Sequence, residues 1–128
     1  RIGRMTQPEF TCNVRVQYLP DQSKPPDGPF AFAYTVTIRN TGDVAAQLVA
    51  RQWLVSNAGG RTEEVRGLAV VGHQPLLKPG EEFEYTSWTR LATSAGTMRG
   101  TYYCMTEDAH PFEAAIGSFT LVAPSSLH

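Results

Sequence analysis

The sequence has few charged residues and no long hydrophobic run. Charged residues make up 18% of the 128 positions, and eleven Lys and Arg nearly balance twelve Asp and Glu, so the formal net charge is -1. This balance excludes a protein that depends on bulk positive charge, and we expect neither a nucleic acid nor an anionic membrane as partner. The longest apolar candidate, residues 29–38, is too short to span a bilayer.

Cysteine is also scarce. Cys12 and Cys104 are the two cysteines, and their wide spacing fits neither a disulfide framework nor a Cys-x-x-Cys motif. We expect two reduced thiols, half-buried in strands, in a cytoplasmic protein; one bridge between the chain ends is the alternative. The first residues are basic, but no apolar segment follows them, so we expect no secretory signal.

Alternating apolar and polar side chains predict strands in the first half of the chain. The first covers residues 10–18 and the second residues 30–39. Between them, the proline-rich residues 20–29 predict an exposed loop. Residues 47–57 are apolar at both even and odd positions, which predicts a central strand covered on two sides.

Further strands are predicted in the second half. Asn57-Ala58-Gly59-Gly60 favours a tight hairpin, after which residues 61–66 return as an exposed strand. Across residues 112–122 the apolar positions change parity at Gly117-Ser118, which indicates a one-residue β-bulge. The other predicted strands cover residues 82–86 and 96–105.

About seven or eight short strands without a helical period predict an all-β fold. The predicted architecture is an antiparallel immunoglobulin-like β-sandwich, formed by a single domain over residues 1–128 with a flexible N-terminal segment at residues 1–8. Trp53 suits the core of such a domain. The bridging cysteine pair of antibody domains is missing, so the fibronectin type III-like variant fits better.

No group of residues indicates catalysis or metal binding. The serines lack a nucleophile-elbow sequence, and no paired carboxylates are evident, so we predict a protein that is not an enzyme and has no catalytic residue. His73, His110 and His128 lack the spacing of metal ligands. Residues 107–111 could offer two oxygens and a nitrogen to a cation, but a hairpin turn is the preferred interpretation. We predict no cofactor and no metal site.

Several segments resemble the bacterial ApaG family, and the resemblance runs from about residue 11 to residue 128. The segments that carry it are FAYTVTIRN at 32–40, RQWLV at 51–55, VVGHQPL at 70–76, YTS at 85–87, GTMRGTY at 96–102, FTL at 119–121 and the ending Leu127-His128. The resemblance implies a fibronectin type III or immunoglobulin-like sandwich. It also implies a link to cobalt and magnesium efflux without an established biochemical activity. Related domains in eukaryotic F-box and polymerase-interacting proteins look like protein-binding modules.

The same resemblance brings a pyrophosphate-type Gly-x-Gly-x-x-Gly motif. Its equivalent here runs from Gly67 to Gly72, and Ala69 replaces the middle glycine. A phosphate cradle needs a helix N-terminus after the glycines, whereas His73-Gln74-Pro75 follows at once. Gly67 and Gly72 are the candidate pyrophosphate-binding residues, and a bend with close packing between sheets is the preferred explanation.

The sequence therefore favours a non-catalytic recognition module whose partner is another protein. Arginine and tryptophan often anchor such contacts. The candidate partner-binding residues are Arg51, Trp53, Trp88 and Arg90. The neighbours of Trp88 are polar, and exposure of its side chain would strengthen this hypothesis; a buried indole is the alternative. A pyrophosphate or nucleotide binder that uses the glycine motif is the alternative, and a homodimer formed through an exposed edge strand is a third hypothesis.

Overall fold

The computed structural model describes residues 5–124. It contains one turn of 3-10 helix at Pro20–Gln22, inside the predicted loop, and eight strands: β1 (Phe10–Leu19), β2 (Phe30–Asn40), β3 (Ala46–Asn57), β4 (Thr62–Leu68), β5 (Leu76–Leu77), β6 (Glu82–Leu91), β7 (Ala95–Thr106) and β8 (Pro111–Val122). No helix in this part of the chain could span a membrane. His128 and the Leu127-His128 ending lie outside the described residues, as do residues 1–4 of the predicted N-terminal segment.

The strands form two antiparallel sheets. The small sheet has the order β1-β2-β6, and the large sheet has the order β4-β3-β7-β8 with β5 paired to β3. Contacts between β1 and β8 join the sheets on one side. On the other side, β6 and β4 are the edge strands of their sheets. The predicted all-β sandwich is confirmed, and its two edges lie on the same side.

A bulge in β3 decides which of its side chains enter the core. The β3–β7 register shifts between Leu48 and Ala50. Before the shift, even-numbered residues such as Leu48 are buried, whereas Trp53 and Val55 are buried after it. The prediction that this strand is covered on both sides was therefore wrong, because a bulge reverses the side-chain alternation. The reversal places Arg51 at an inward-facing position.

The bulge predicted in β8 is confirmed. In the β7–β8 register, Met98 pairs with Phe119 and Gly100 with Ile116, so two residues of β8 oppose one residue of β7 at Gly117 and Ser118. Ile116 and Leu121 are consequently both buried although their positions differ in parity. The bulge keeps the apolar side chains of this long strand on the inner face.

The two cysteines are free, as expected. Cys12 is half-buried, as predicted, whereas Cys104 is fully buried because it faces inward from β7. Burial raises the pKa of the Cys12 thiol to about 11. Burial, together with the proximity of Cys12, raises the pKa of Cys104 to about 12. Both thiols are therefore protonated and unreactive at neutral pH.

Candidate functional site

An apolar groove crosses one end of the outer face of the small sheet. Trp88 projects from the edge strand β6, and 61% of its surface is exposed. In the β2–β6 register it lies opposite Ala33, and its neighbour Arg90 lies opposite Ala31. The small alanine side chains leave a low floor beside the indole. The resulting groove has a volume of about 430 Å³ and is lined by Leu19, Gln22, Ala31, Trp88 and Arg90. We call it the Trp88 groove.

Arg90 is stacked on Trp88. Its guanidinium carbon lies 5.2 Å from the ring centroid, which is a cation–π contact. The other end of the same face is polar, because Arg39 binds Glu82 at 3.0 Å and Thr37 donates to Glu84 at 2.9 Å. The apolar surface is therefore confined to the Trp88 groove, with Arg90 as the cation in its lining.

A second concavity lies between the sheets, beside the edge strands β4 and β6. This inter-sheet cavity has a volume of about 230 Å³. Arg51, Trp53 and Val65 from the large sheet contribute to its wall, as do Tyr34 and Ser87 from the small sheet. Burial raises the pKa of Tyr34, whereas a side-chain hydrogen bond with Ser87 and the charge of Arg51 lower it.

Trp53 is buried and does not contact the outside. Only 1% of its surface is exposed, so the prediction that it binds a partner directly was wrong. Its ring packs against Tyr34 at a centroid distance of 5.4 Å and against Phe119 at 6.0 Å. Trp53 is a core residue that forms part of the cavity wall, and its Nε1 has no hydrogen-bond partner within residues 5–124.

Arg51 holds the segment that carries the glycine motif. Its Nη1 donates hydrogen bonds to the carbonyl oxygens of Leu68 at 3.1 Å and Ala69 at 2.7 Å. Gly67 lies opposite Arg51 in the β3–β4 register, and a Cβ placed on it would lie 2.8 Å from Nη1. Glycine at this position therefore has a structural explanation, since it makes room for the guanidinium group.

Gly72 belongs to a tight turn. Val70 and His73 exchange backbone hydrogen bonds of 2.7 and 2.9 Å, and the two residues between them, Val71 and Gly72, have φ values of 49° and 80°. Two consecutive positive φ angles define a type I′ turn, which favours glycine. The following chain leads to β5, so within the described residues no helix N-terminus stands after Gly72.

Three inward-facing tyrosines form a polar cluster that was not predicted from the sequence. The hydroxyl groups of Tyr85 and Tyr102 are hydrogen-bonded to each other, and Tyr34 lies near them. Burial raises the pKa of Tyr85 and of Tyr102 far above the usual value. The sequence signal for this cluster is tyrosine, instead of phenylalanine, at apolar positions of predicted strands. A buried tyrosine hydroxyl requires a hydrogen-bond partner, so such tyrosines are expected to lie near one another or near another polar group.

The acidic segment before β8 is a hairpin turn. His110 Nδ1 lies 3.2 Å from Asp108 Oδ2, and the backbone N–H of His110 donates to Thr106 Oγ1 at 2.9 Å. Hydrogen bonds from Thr106 and His110 lower the pKa of Asp108. Within residues 5–124, no three His, Cys, Asp or Glu side chains are grouped as metal ligands. The preferred interpretation of residues 107–111 agrees with this geometry.

The sequence and fold match proteins of one family. A family model described as the ApaG domain matches residues 20–106. Protein ApaG of Ralstonia nicotianae is 56% identical over 97% of this chain and all of its own length. Protein ApaG of Bordetella pertussis is 51% identical over 94% of this chain and 92% of its own length. The crystal structure of a Bordetella pertussis protein called ApaA matches with a TM-score of 0.90 at 48% identity, over 96% of this chain and all of that one.

Both the family match and the two-sheet architecture agree with the resemblance found in the sequence. The matched residues 20–106 include the lining of the Trp88 groove except Leu19, and the wall residues of the inter-sheet cavity named above. The chain belongs to the ApaG domain family.

Proposed function

We propose that this chain is a non-catalytic recognition module that binds an extended segment of another protein in the Trp88 groove. The observation that carries the proposal is the exposed indole of Trp88 on an edge strand, stacked with Arg90 above a floor of small side chains. Tryptophan and arginine side chains often contribute a large part of the binding free energy when a partner covers them. Of the four predicted partner-binding residues, Trp88 and Arg90 form this surface.

The lining of the groove specifies the chemistry of the segment. Leu19, Ala31 and Trp88 provide apolar contacts, and Arg90 is the cation in the lining. An apolar side chain next to Asp or Glu therefore fits best, with the side chain over the alanine floor and the carboxylate on the guanidinium. Because β6 is an edge strand, its outer backbone groups are also available to an added strand.

Two other hypotheses, pyrophosphate or nucleotide binding and homodimer formation, can be tested separately. The glycines of the motif have structural explanations, which reduces the need for a nucleotide to account for them. Titration calorimetry with pyrophosphate and nucleotides, with and without magnesium or cobalt, tests that alternative, and micromolar affinity would favour it. Sedimentation analysis tests whether the chain forms a homodimer.

The two free thiols support a cytoplasmic location. The link to cobalt and magnesium efflux would then operate through the bound protein.

Selection from a random peptide library displayed on phage tests the proposal. We expect enriched peptides that place an aliphatic or aromatic side chain next to Asp or Glu. Trp88→Ala should weaken binding of a synthetic enriched peptide by about tenfold or more. Arg90→Gln should weaken it as well, and the loss should disappear when the acidic residue of the peptide is replaced by its amide.

Val122→Ala is the matched control, because Val122 is an exposed apolar residue at the end of β8, in the other sheet. It should leave peptide affinity unchanged. A library that yields no enriched class, or peptides that bind Trp88→Ala as tightly as the wild type, would contradict the proposed function.

A further inference from the structure

We propose that the inter-sheet cavity, whose wall also includes Trp88, is a second binding site next to the Trp88 groove and that it takes a small organic carboxylate with a short apolar body. The cavity opens between the edges of the two sheets and is bounded by both buried and half-exposed residues. Three features of its wall carry the proposal: a hydrogen-bond donor and a cation that have, respectively, no acceptor and no carboxylate paired with them in the described part of the chain, and a set of apolar side chains.

The unpaired donor is the indole N–H of Trp53. The nitrogen is fully buried, and no acceptor lies within hydrogen-bonding distance among the described residues. Buried indole N–H groups usually find a partner, because an unsatisfied buried donor loses its hydrogen bond to water without compensation. Trp53 belongs to the wall of the cavity. In the proposed complex, an acceptor oxygen of the bound molecule supplies the missing partner.

The charge of the wall is positive. Arg51 contributes to the wall, and none of the other lining residues is Asp or Glu. The ion pairs of the described chain involve other arginines, namely Arg15, Arg39 and Arg66. The carbonyl contacts of Arg51 orient its guanidinium group but do not neutralise its charge. Within residues 5–124 no carboxylate forms an ion pair with Arg51, and a partly buried cation of this kind favours an anionic ligand.

The remaining wall explains why the anion should be a carboxylate with an apolar body. Val55, Val65 and Met98 provide aliphatic surface, and the hydroxyl-bearing residues Tyr34 and Ser87 lie on the opposite sheet. A phosphate group needs more donors and more positive charge than one arginine beside apolar side chains supplies. A volume of about 230 Å³ is below the usual range of ligand pockets, so the body must be short.

Nuclear magnetic resonance of the ¹⁵N-labelled protein tests the site directly. The sequence contains two tryptophans, so Trp88→Phe assigns the indole signal of Trp53. Butyrate and benzoate are the probes. We expect a saturable downfield shift of the Trp53 Nε1 proton with at least one of them, because a carboxylate oxygen would accept a hydrogen bond from it. Butyramide and benzamide, which lack the charge, should bind at least about tenfold more weakly.

Two variants localise the binding. Arg51→Gln removes the cation and should weaken carboxylate binding by about tenfold or more. Val65→Phe tests the site without touching the polar wall. Val65 is half-exposed on the edge strand β4, so a larger side chain can be accommodated there while it occupies the cavity. Val122→Phe makes the same change at an exposed strand position away from the cavity and should leave binding unchanged.

Several outcomes would overturn the inference. These are no shift of the Trp53 indole signal with either carboxylate, equal affinity for the neutral amides, and undiminished binding by folded Val65→Phe. A larger shift with inorganic phosphate or pyrophosphate than with the carboxylates would also overturn it, since it would assign the cavity to another class of anion. None of these results depends on whether the Trp88 groove binds a protein.

Discussion

Gly100 lies directly opposite Trp53 in the register of β3 and β7, and a Cβ placed on Gly100 would come within 2.6 Å of the indole Cε3. The ring therefore packs against bare backbone. This pairing fixes the position of the largest fully buried side chain, and with it one wall of the inter-sheet cavity.

Gly100→Ala should lower the free energy of unfolding by about 1–3 kcal/mol, because the added methyl group meets a ring packed on its other side by Tyr34. Gly117→Ala is the matched control, since a Cβ there meets nothing within 4 Å. It should leave stability unchanged or slightly raised. Urea unfolding followed by circular dichroism measures both variants. Equal stability of Gly100→Ala and wild type would contradict the packing described for Trp53.

Tyr102→Phe should destabilise the protein by about 1–3 kcal/mol, because it leaves the buried hydroxyl of Tyr85 without its partner. The double variant Tyr85→Phe/Tyr102→Phe should be more stable than the sum of the two single effects predicts. Tyr103→Phe, on the outer face, removes an exposed hydrogen bond to Gln52 and should cost less than about 0.5 kcal/mol. If the destabilisation of the double variant equals the sum of the two single effects, the two hydroxyls do not interact.

Val71→Asn should stabilise the protein by about 0.5–1 kcal/mol. Val71 is a β-branched residue with a φ of 49°, in a type I′ turn that favours Asn-Gly. Its side chain is more than half exposed, so little packing is lost. Thermal unfolding of the variant measures the effect. A lower melting temperature would indicate that valine makes contacts that outweigh its backbone strain.

Raising the pH should destabilise the fold above pH 9. The thiol of Cys12 has a pKa of about 11 in the folded chain against 9.0 in the unfolded chain, and that of Cys104 a pKa of about 12. Between these values the unfolded chain has lost protons that the folded chain keeps, so the free energy of unfolding falls with pH. Cys12→Ala/Cys104→Ala should reduce this slope, measured by urea unfolding from pH 8 to 11. An unchanged slope would exclude the thiols as its cause.

Much of the fold follows from side-chain alternation. The strand β2 and the bulge at Gly117 could be predicted from the sequence. In β2 the apolar residues keep one parity, and in β8 they keep one parity before the bulge and the other after it. The same rule applied to β3 predicted cover on both sides and no facing, since half-buried Val49 and Leu54 mask the change of parity that the bulge causes. A strand whose outer face is itself partly covered gives a weak alternation signal.

The functional surfaces were less predictable. The polar neighbours of Trp88 left both an exposed and a buried indole open, and its cross-strand neighbour Ala33 could be identified only from the register. For Trp53, residue type alone suggested a partner contact, whereas Gly100 and the bulge in β3 bury it. Pairing between strands distant in sequence decides these positions, and local pattern does not contain that information.

The most direct test of the central claim is a titration of an enriched library peptide into the ¹⁵N-labelled protein, followed through the two tryptophan indole signals. We predict a saturable shift of the Trp88 Nε1 signal, together with backbone shifts in β2 and β6, while the Trp53 signal moves little. A peptide that binds and leaves the Trp88 signal in place would contradict the assignment of the groove as the recognition site.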